Sequence, residues 1–160
     1  METIQESVKE TANKMIFSGK SIDFGVKVFE KQLEQLKKYV VQELRGEYNA
    51  AVVGIGNNQL RRELLRRLQS YGYRIPVLIH PTAYVSQSAK IGKGTVVEPK
   101  AIVNTGSQVG EGCIISAGAI VDHDVILEEC VHVNTGAICK AGSVVVATIK
   151  LEVGQLVMGD

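Results

Sequence analysis

Two of the chain's three histidines fall in the stretch VDHDVILEECVHVNTGA, at His123 and His132. A neutral imidazole accepts a proton near pH 7. A carboxylate bonded to one ring nitrogen fixes the tautomer and raises the basicity of the other nitrogen. His123 has such groups on both sides, Asp122 and Asp124. His132 lies nine residues further on, inside a segment that otherwise favours small and aliphatic side chains. The remaining histidine, His80 in IHPTAY, sits beside Pro81 and reads as a structural cap.

These side chains must be positioned by a repeat. Counting in sixes from Ile79 gives Val85, Ile91, Val97, Val103, Val109, Ile115, Val121, Leu127, Val133, Cys139, Val145, Leu151 and Val157. Every one is aliphatic except Cys139, and cysteine is itself a frequent core residue. Four residues beyond each stands a second set, mostly small or β-branched, from Ala83 and Ala89 through Ala101, Ser107, Cys113 and Ala119 to Ala137 and Ser143. Glycine or another turn-tolerant residue often precedes this second set. A period of six fits neither a helix nor a hairpin array. It predicts a parallel β-solenoid in which each unit forms a short flat strand and a corner, with the aliphatic residue inside. His123 and His132 occupy neither set, which places both near the outer surface or a corner.

Upstream, the rhythm differs. Residues 1–48 carry helical stripes, Ile4, Val8, Ala12 and Met15, then Phe29, Leu33, Leu36, Val40 and Leu44. Residues 49–78 read as a βαβ unit: an apolar strand at 50–55, a helix capped by Asn57 and striped by Leu60, Leu64 and Leu68, a stop at Gly72, and a second strand in RIPVLI. The arginines of RRELLRR, residues 61–67, are expected on a solvated helix face. The Gly-x-Gly in GIGN, without a third glycine, reads as a tight strand-to-helix turn rather than a dinucleotide loop. The expected organisation is therefore a helical segment at 1–48, a βαβ unit at 49–78 and a solenoid at 79–160.

Composition bounds the function. Net charge is +1, which offers no electrostatic footprint for nucleic acid or an anionic membrane. No apolar run approaches the roughly 20 residues of a membrane span. Three cysteines without a CxxC pair, and no signal peptide at the start, point to reduced thiols and a cytoplasmic location.

The hexapeptide pattern resembles the left-handed β-helix of hexapeptide-repeat acyltransferases. IGNNQLRRELL, LIHPTAYVSQSAKIGKGTVVEPKAIVN and VDHDVILEECVHVNTGA are most similar to the branch of sialic acid O-acetyltransferases and UDP-amino-sugar N-acetyltransferases of bacterial surface-glycan synthesis. The resemblance implies a mainly β fold with coils of eighteen residues. It also implies left-handed winding, against the right-handed bias of ordinary crossovers. It implies an acetyl-CoA-dependent transfer to an amino or hydroxyl group of a sugar or nucleotide sugar. No metal is expected. His123 matches the general base and Asp124 its acidic partner. His132 matches a residue at the thioester end of acetyl-CoA, Gly142 a glycine whose backbone contacts that donor, and Gly56 the turn beside the nucleotide-sugar pocket. It further implies a homotrimer in which His123 of one chain faces His132 of another. Ser116 stands where the family often has Asn.

Two other functions compete. A non-catalytic trimeric scaffold descended from such an enzyme is favoured by the absence of a Gly-Gly-His-type loop in residues 1–48 and by the irregular units after Ser143. A metal-dependent lyase of the carbonic anhydrase type would need three histidines converging on zinc, and the nine-residue gap disfavours it.

Overall fold

The computed structural model describes residues 48–159, so the stripes at 1–47 lie outside the described residues. Residues from Ala50 onward form one compact unit. It contains one helix, α1 (Asn58–Ser70), and thirteen two-residue strands.

The strands build three walls of a parallel solenoid. The first wall stacks β1 (Leu78–Ile79), β4 (Val96–Val97), β7 (Ile114–Ile115) and β10 (His132–Val133). The second stacks β2 (Tyr84–Val85), β5 (Ile102–Val103), β8 (Ile120–Val121), β11 (Ile138–Cys139) and β13 (Leu156–Val157). The third stacks β3 (Lys90–Ile91), β6 (Gln108–Val109), β9 (Ile126–Leu127) and β12 (Val144–Val145). Partners such as Val97 and Ile115, or Val103 and Val121, are one eighteen-residue coil apart, as the sixfold beat demands.

In each strand the second residue points inward. Val97, Val103, Ile115, Val121, Leu127, Val133 and Cys139 are buried in one continuous core. Ile79 is 46% exposed because it belongs to the first coil of the stack. The second set of the repeat also faces in, and its polar members find partners. Thr95 Oγ1, Ser107 Oγ and Cys113 Sγ donate to the carbonyls of Gly110, Asp122 and Glu128. These bonds satisfy corner carbonyls that would otherwise be buried without a donor. The irregular final units hold phase: Leu151 is buried and β13 pairs with β11.

Corners recur with the same period. Gly94, Lys100, Gly106, Gly112, Gly118, Asp124, Cys130, Gly136, Gly142, Thr148 and Gly154 all have positive φ. Four of these are not glycine, and Asp124 is the type that tolerates this region best.

The βαβ expectation needs revision. Residues 50–55 do not form the expected strand: they meet the chain after the helix only through an isolated parallel bridge between Ala50 and Arg74. The second expected strand splits: Leu78–Ile79 joins the solenoid as β1. The helix packs against a solenoid corner, so the segment and the solenoid share one compact unit. Its N-cap is Asn57, which accepts from the Leu60 N–H, as expected.

The expected helix faces are also corrected. The buried residues of α1 are Asn58, Arg61 and Leu65, while Leu60, Leu64 and Leu68 are half-buried. Arg61 is only 1% exposed. Its guanidinium donates to the carbonyls of Gly112, Cys130 and Ile55 and to Asn58 Oδ1. Asn58 Nδ2 donates to the Thr148 carbonyl. Arg62 and Arg66 pair with Glu129. A stack of corner carbonyls offers acceptors with no donors of its own, so the helix docks through its donors rather than its leucine stripe. Leu65 fills the space above Gly94 and Gly112, where a Cβ would collide with it.

Candidate active site

His123 lies on the corner between the second and third walls, in the turn that joins β8 to β9. Its side chain is 58% exposed. Nδ1 lies 2.9 Å from Asp124 Oδ2. That bond, aided by the charges of Asp122 and Asp124, raises the imidazole pKa above its ordinary value. With Nδ1 bound to the carboxylate, Nε2 is the nitrogen left to accept a proton.

The turn is held from both sides. Inside, the buried Ser107 Oγ donates to the Asp122 carbonyl and accepts from the Val125 N–H at 3.3 Å. Outside, Asp122 Oδ1 accepts from the His123 N–H at 2.8 Å and from Asn104 Nδ2 at 3.2 Å. The His123 N–H bond first, and Asn104 among the others, hold the Asp122 carboxyl below the usual carboxylate range. Asp122 therefore serves the backbone, and Asp124 serves the imidazole. Sequence spacing alone did not separate these two roles.

Gly142 stands one coil above Asp124 on the same corner, with φ 72° and open space around its Cα. Its N–H donates to the His123 carbonyl at 3.1 Å. His123, Asp124 and Gly142 are thus brought together. Below Asp124 on this column stand Gly106 and Ser88, and the Gly106 N–H donates to Ser88 Oγ at 3.2 Å. Gly106 was not singled out from the sequence, where it resembled any other corner glycine.

His132 belongs to a different place. It projects outward from the first wall in β10, but it is only 9% exposed. The expectation of an open ring is therefore corrected, because the segment leading into α1 covers it. Nε2 lies 3.0 Å from Ser116 Oγ. Nδ1 has no hydrogen-bond partner, and the Gly56 backbone lies near the ring. Burial first, then Lys150 and Arg61, push its pKa down to about 4. Gly56 itself is exposed, at the turn before α1. The structure thus joins Gly56 to His132 and keeps both apart from the His123 corner within one chain.

The other candidates are structural. His80 Nδ1 accepts from the Thr82 N–H and closes a turn. Cys113 and Cys139 lie in the core, as expected, and Cys130 is buried at the corner beneath α1. No group of three metal-ligating side chains occurs among the described residues.

Comparison with known proteins agrees with the resemblance read from the sequence. Residues 88–123 match the family described as bacterial transferase hexapeptide (six repeats). A 46-residue stretch is 46% identical to UDP-N-acetylbacillosamine N-acetyltransferase of Bacillus subtilis (strain 168), covering 29% of this chain and 21% of that protein. The fold is similar to the acetyltransferase domain of PglB from Neisseria gonorrhoeae FA1090 in complex with acetyl coenzyme A. The TM-score there is 0.66 at 38% identity, over 67% of this chain and 52% of that one. It is also similar to a perosamine N-acetyltransferase from Caulobacter crescentus in complex with CoA and GDP-perosamine, with a TM-score of 0.71 at 27% identity, over 77% and 68% of the two chains. The chain spans about half the length of the PglB domain and about a fifth of the curated relative.

Proposed function

We propose that this chain is an acetyl-CoA-dependent acetyltransferase that acts on the amino group of a nucleotide-linked sugar, with His123 as general base. The observation that carries this reading is the exposed His123–Asp124 pair. It occupies a corner of a solenoid similar in sequence and fold to an acetyltransferase domain solved with acetyl coenzyme A and to a perosamine N-acetyltransferase. Those relatives favour an amino over a hydroxyl acceptor.

The step balances simply. The acceptor nitrogen attacks the thioester carbonyl, its proton passes to His123 Nε2, and the C–S bond breaks. The CoA thiolate then takes the proton from the imidazolium. Asp124 stabilises that imidazolium through Nδ1. A positioned base contributes about 10²–10⁴-fold in rate, and the remainder must come from aligning donor and acceptor.

The assembly proposed is a homotrimer, and an apolar outer face supports it. Tyr84, Ile102, Ile120, Ile138 and Leu156 line the outside of the second wall, with Tyr84 and Leu156 more than half exposed. A second copy covering this wall would border the His123 corner. Contact between His132 and the thioester requires its cover to withdraw, since the ring is only 9% exposed. A cytoplasmic location follows from the substrates proposed.

The test is release of free CoA from acetyl-CoA with UDP- or GDP-linked amino sugars. Turnover is expected, and a folded His123→Ala variant should lose it. Normal turnover by that variant removes the base assignment. Absence of acetyl-CoA binding by calorimetry at millimolar donor would leave the non-catalytic scaffold.

A further inference from the structure

We infer that Gly106 is a positioning residue for the His123 base, because its missing side chain makes the seat in which the Asp124 carboxylate rests. The inference rests on the catalytic reading of His123. Gly106 lies one coil below Asp124, on the same corner column. A Cβ built on Gly106 would collide with Asp124 Oδ1 and would lie 3.3 Å from its Cγ. The Asp124 backbone N is 3.8 Å away, an ordinary contact, so only the carboxylate is displaced. The other oxygen of that carboxylate, Oδ2, makes the bond to His123 Nδ1.

A carboxylate at the end of a short side chain can rotate away from a methyl group without unfolding the turn. Asp124 N stays bonded to the Thr105 carbonyl, and Ser107 holds the backbone from inside. The substitution would therefore leave the corner standing and take the orienting acid from the imidazole. Gly118 and Gly136, on the next corner, supply the contrast. They share the same backbone conformation, and a Cβ on either meets nothing within 4 Å. Alanine at Gly118 carries the conformational strain without the collision.

The experiment follows the three imidazoles by NMR titration in the full chain, with His123 assigned through His123→Ala. In Gly106→Ala the His123 midpoint should fall toward that of Asp124→Asn, and Gly118→Ala should leave it at the wild-type value. Gly106→Asn tolerates the left-handed backbone yet keeps the Cβ, so it should reproduce the fall should the alanine variant not fold. CoA release by Gly106→Ala should lose part of the roughly 10²–10⁴-fold contribution of a positioned base. An unchanged His123 midpoint in both Gly106 variants overturns the inference, as does an equal fall in Gly118→Ala. A fallen midpoint with undiminished CoA release supports the seat and counts against His123 as the base instead.

Discussion

Arg61 and Gly112, 51 residues apart in the chain, meet through a 2.7 Å bond from the guanidinium Nε to the glycine carbonyl. The same side chain reaches Cys130 O and Ile55 O, so one arginine ties the helix to two consecutive coils and to the segment before it. Replacing Arg61 with Met keeps bulk but leaves three carbonyls without a donor. The expected loss is about 3 kcal/mol or more, given roughly 1–3 kcal/mol for each buried unsatisfied group. Urea unfolding measures it, and a loss under about 1 kcal/mol would show that the carbonyls find other partners.

The pH profile of acetyl transfer should report the Asp124 bond. With His123 as the proposed base, activity should fall as pH drops through its pKa, because a base must be neutral to act. Asp124 raises that pKa, which sets the acid limb above the ordinary histidine value. Asp124→Asn should shift the limb to lower pH and lower the plateau, because a weaker base accepts the proton less readily. A limb that stays in place would mean that another group titrates.

His132 should make the fold acid-sensitive. Its folded pKa is about 4 and its unfolded value 6.5, so between these the unfolded chain binds more protons. The stability linked to its neutral form is present above pH 6.5 and is lost as pH falls toward 4. The full effect is on the order of 3 kcal/mol. Equilibrium unfolding of His132→Gln should show a flatter pH dependence across this window. A slope equal to that of the wild type would place the ionisation elsewhere.

The thiols should be silent in the folded state. Burial pushes Cys113 up to about 12 and Cys139 up to about 11, and it raises Cys130 as well. The thiolate is the reactive form. A disulfide reagent at pH 8 should label none of the three until the chain is unfolded, and then all three. Prompt labelling of a folded sample would show that the Cys130 corner opens.

The solenoid was written in the sixfold beat. A strict period of six can bury its aliphatic residue only if the chain turns a corner in every unit, so the inward column from Val97 to Val145 is legible in the spacing alone. It also placed His123 outside that column, next to acids. The outward positions were a different matter, because the repeat constrains which way a residue points and says nothing of what covers it. Arg61 has the polarity of a solvated residue, yet it is buried because a stack of corner carbonyls needs donors. His132 points away from the core and is still enclosed, by a turn some 75 residues earlier in the chain. Asp122 and Asp124 are equivalent neighbours of His123 in sequence, and only the backbone angle at Asp124 and the vacant space over Gly106 decide which carboxylate meets the ring. Such pairings depend on which coil stacks on which, and that register exists only in the folded chain.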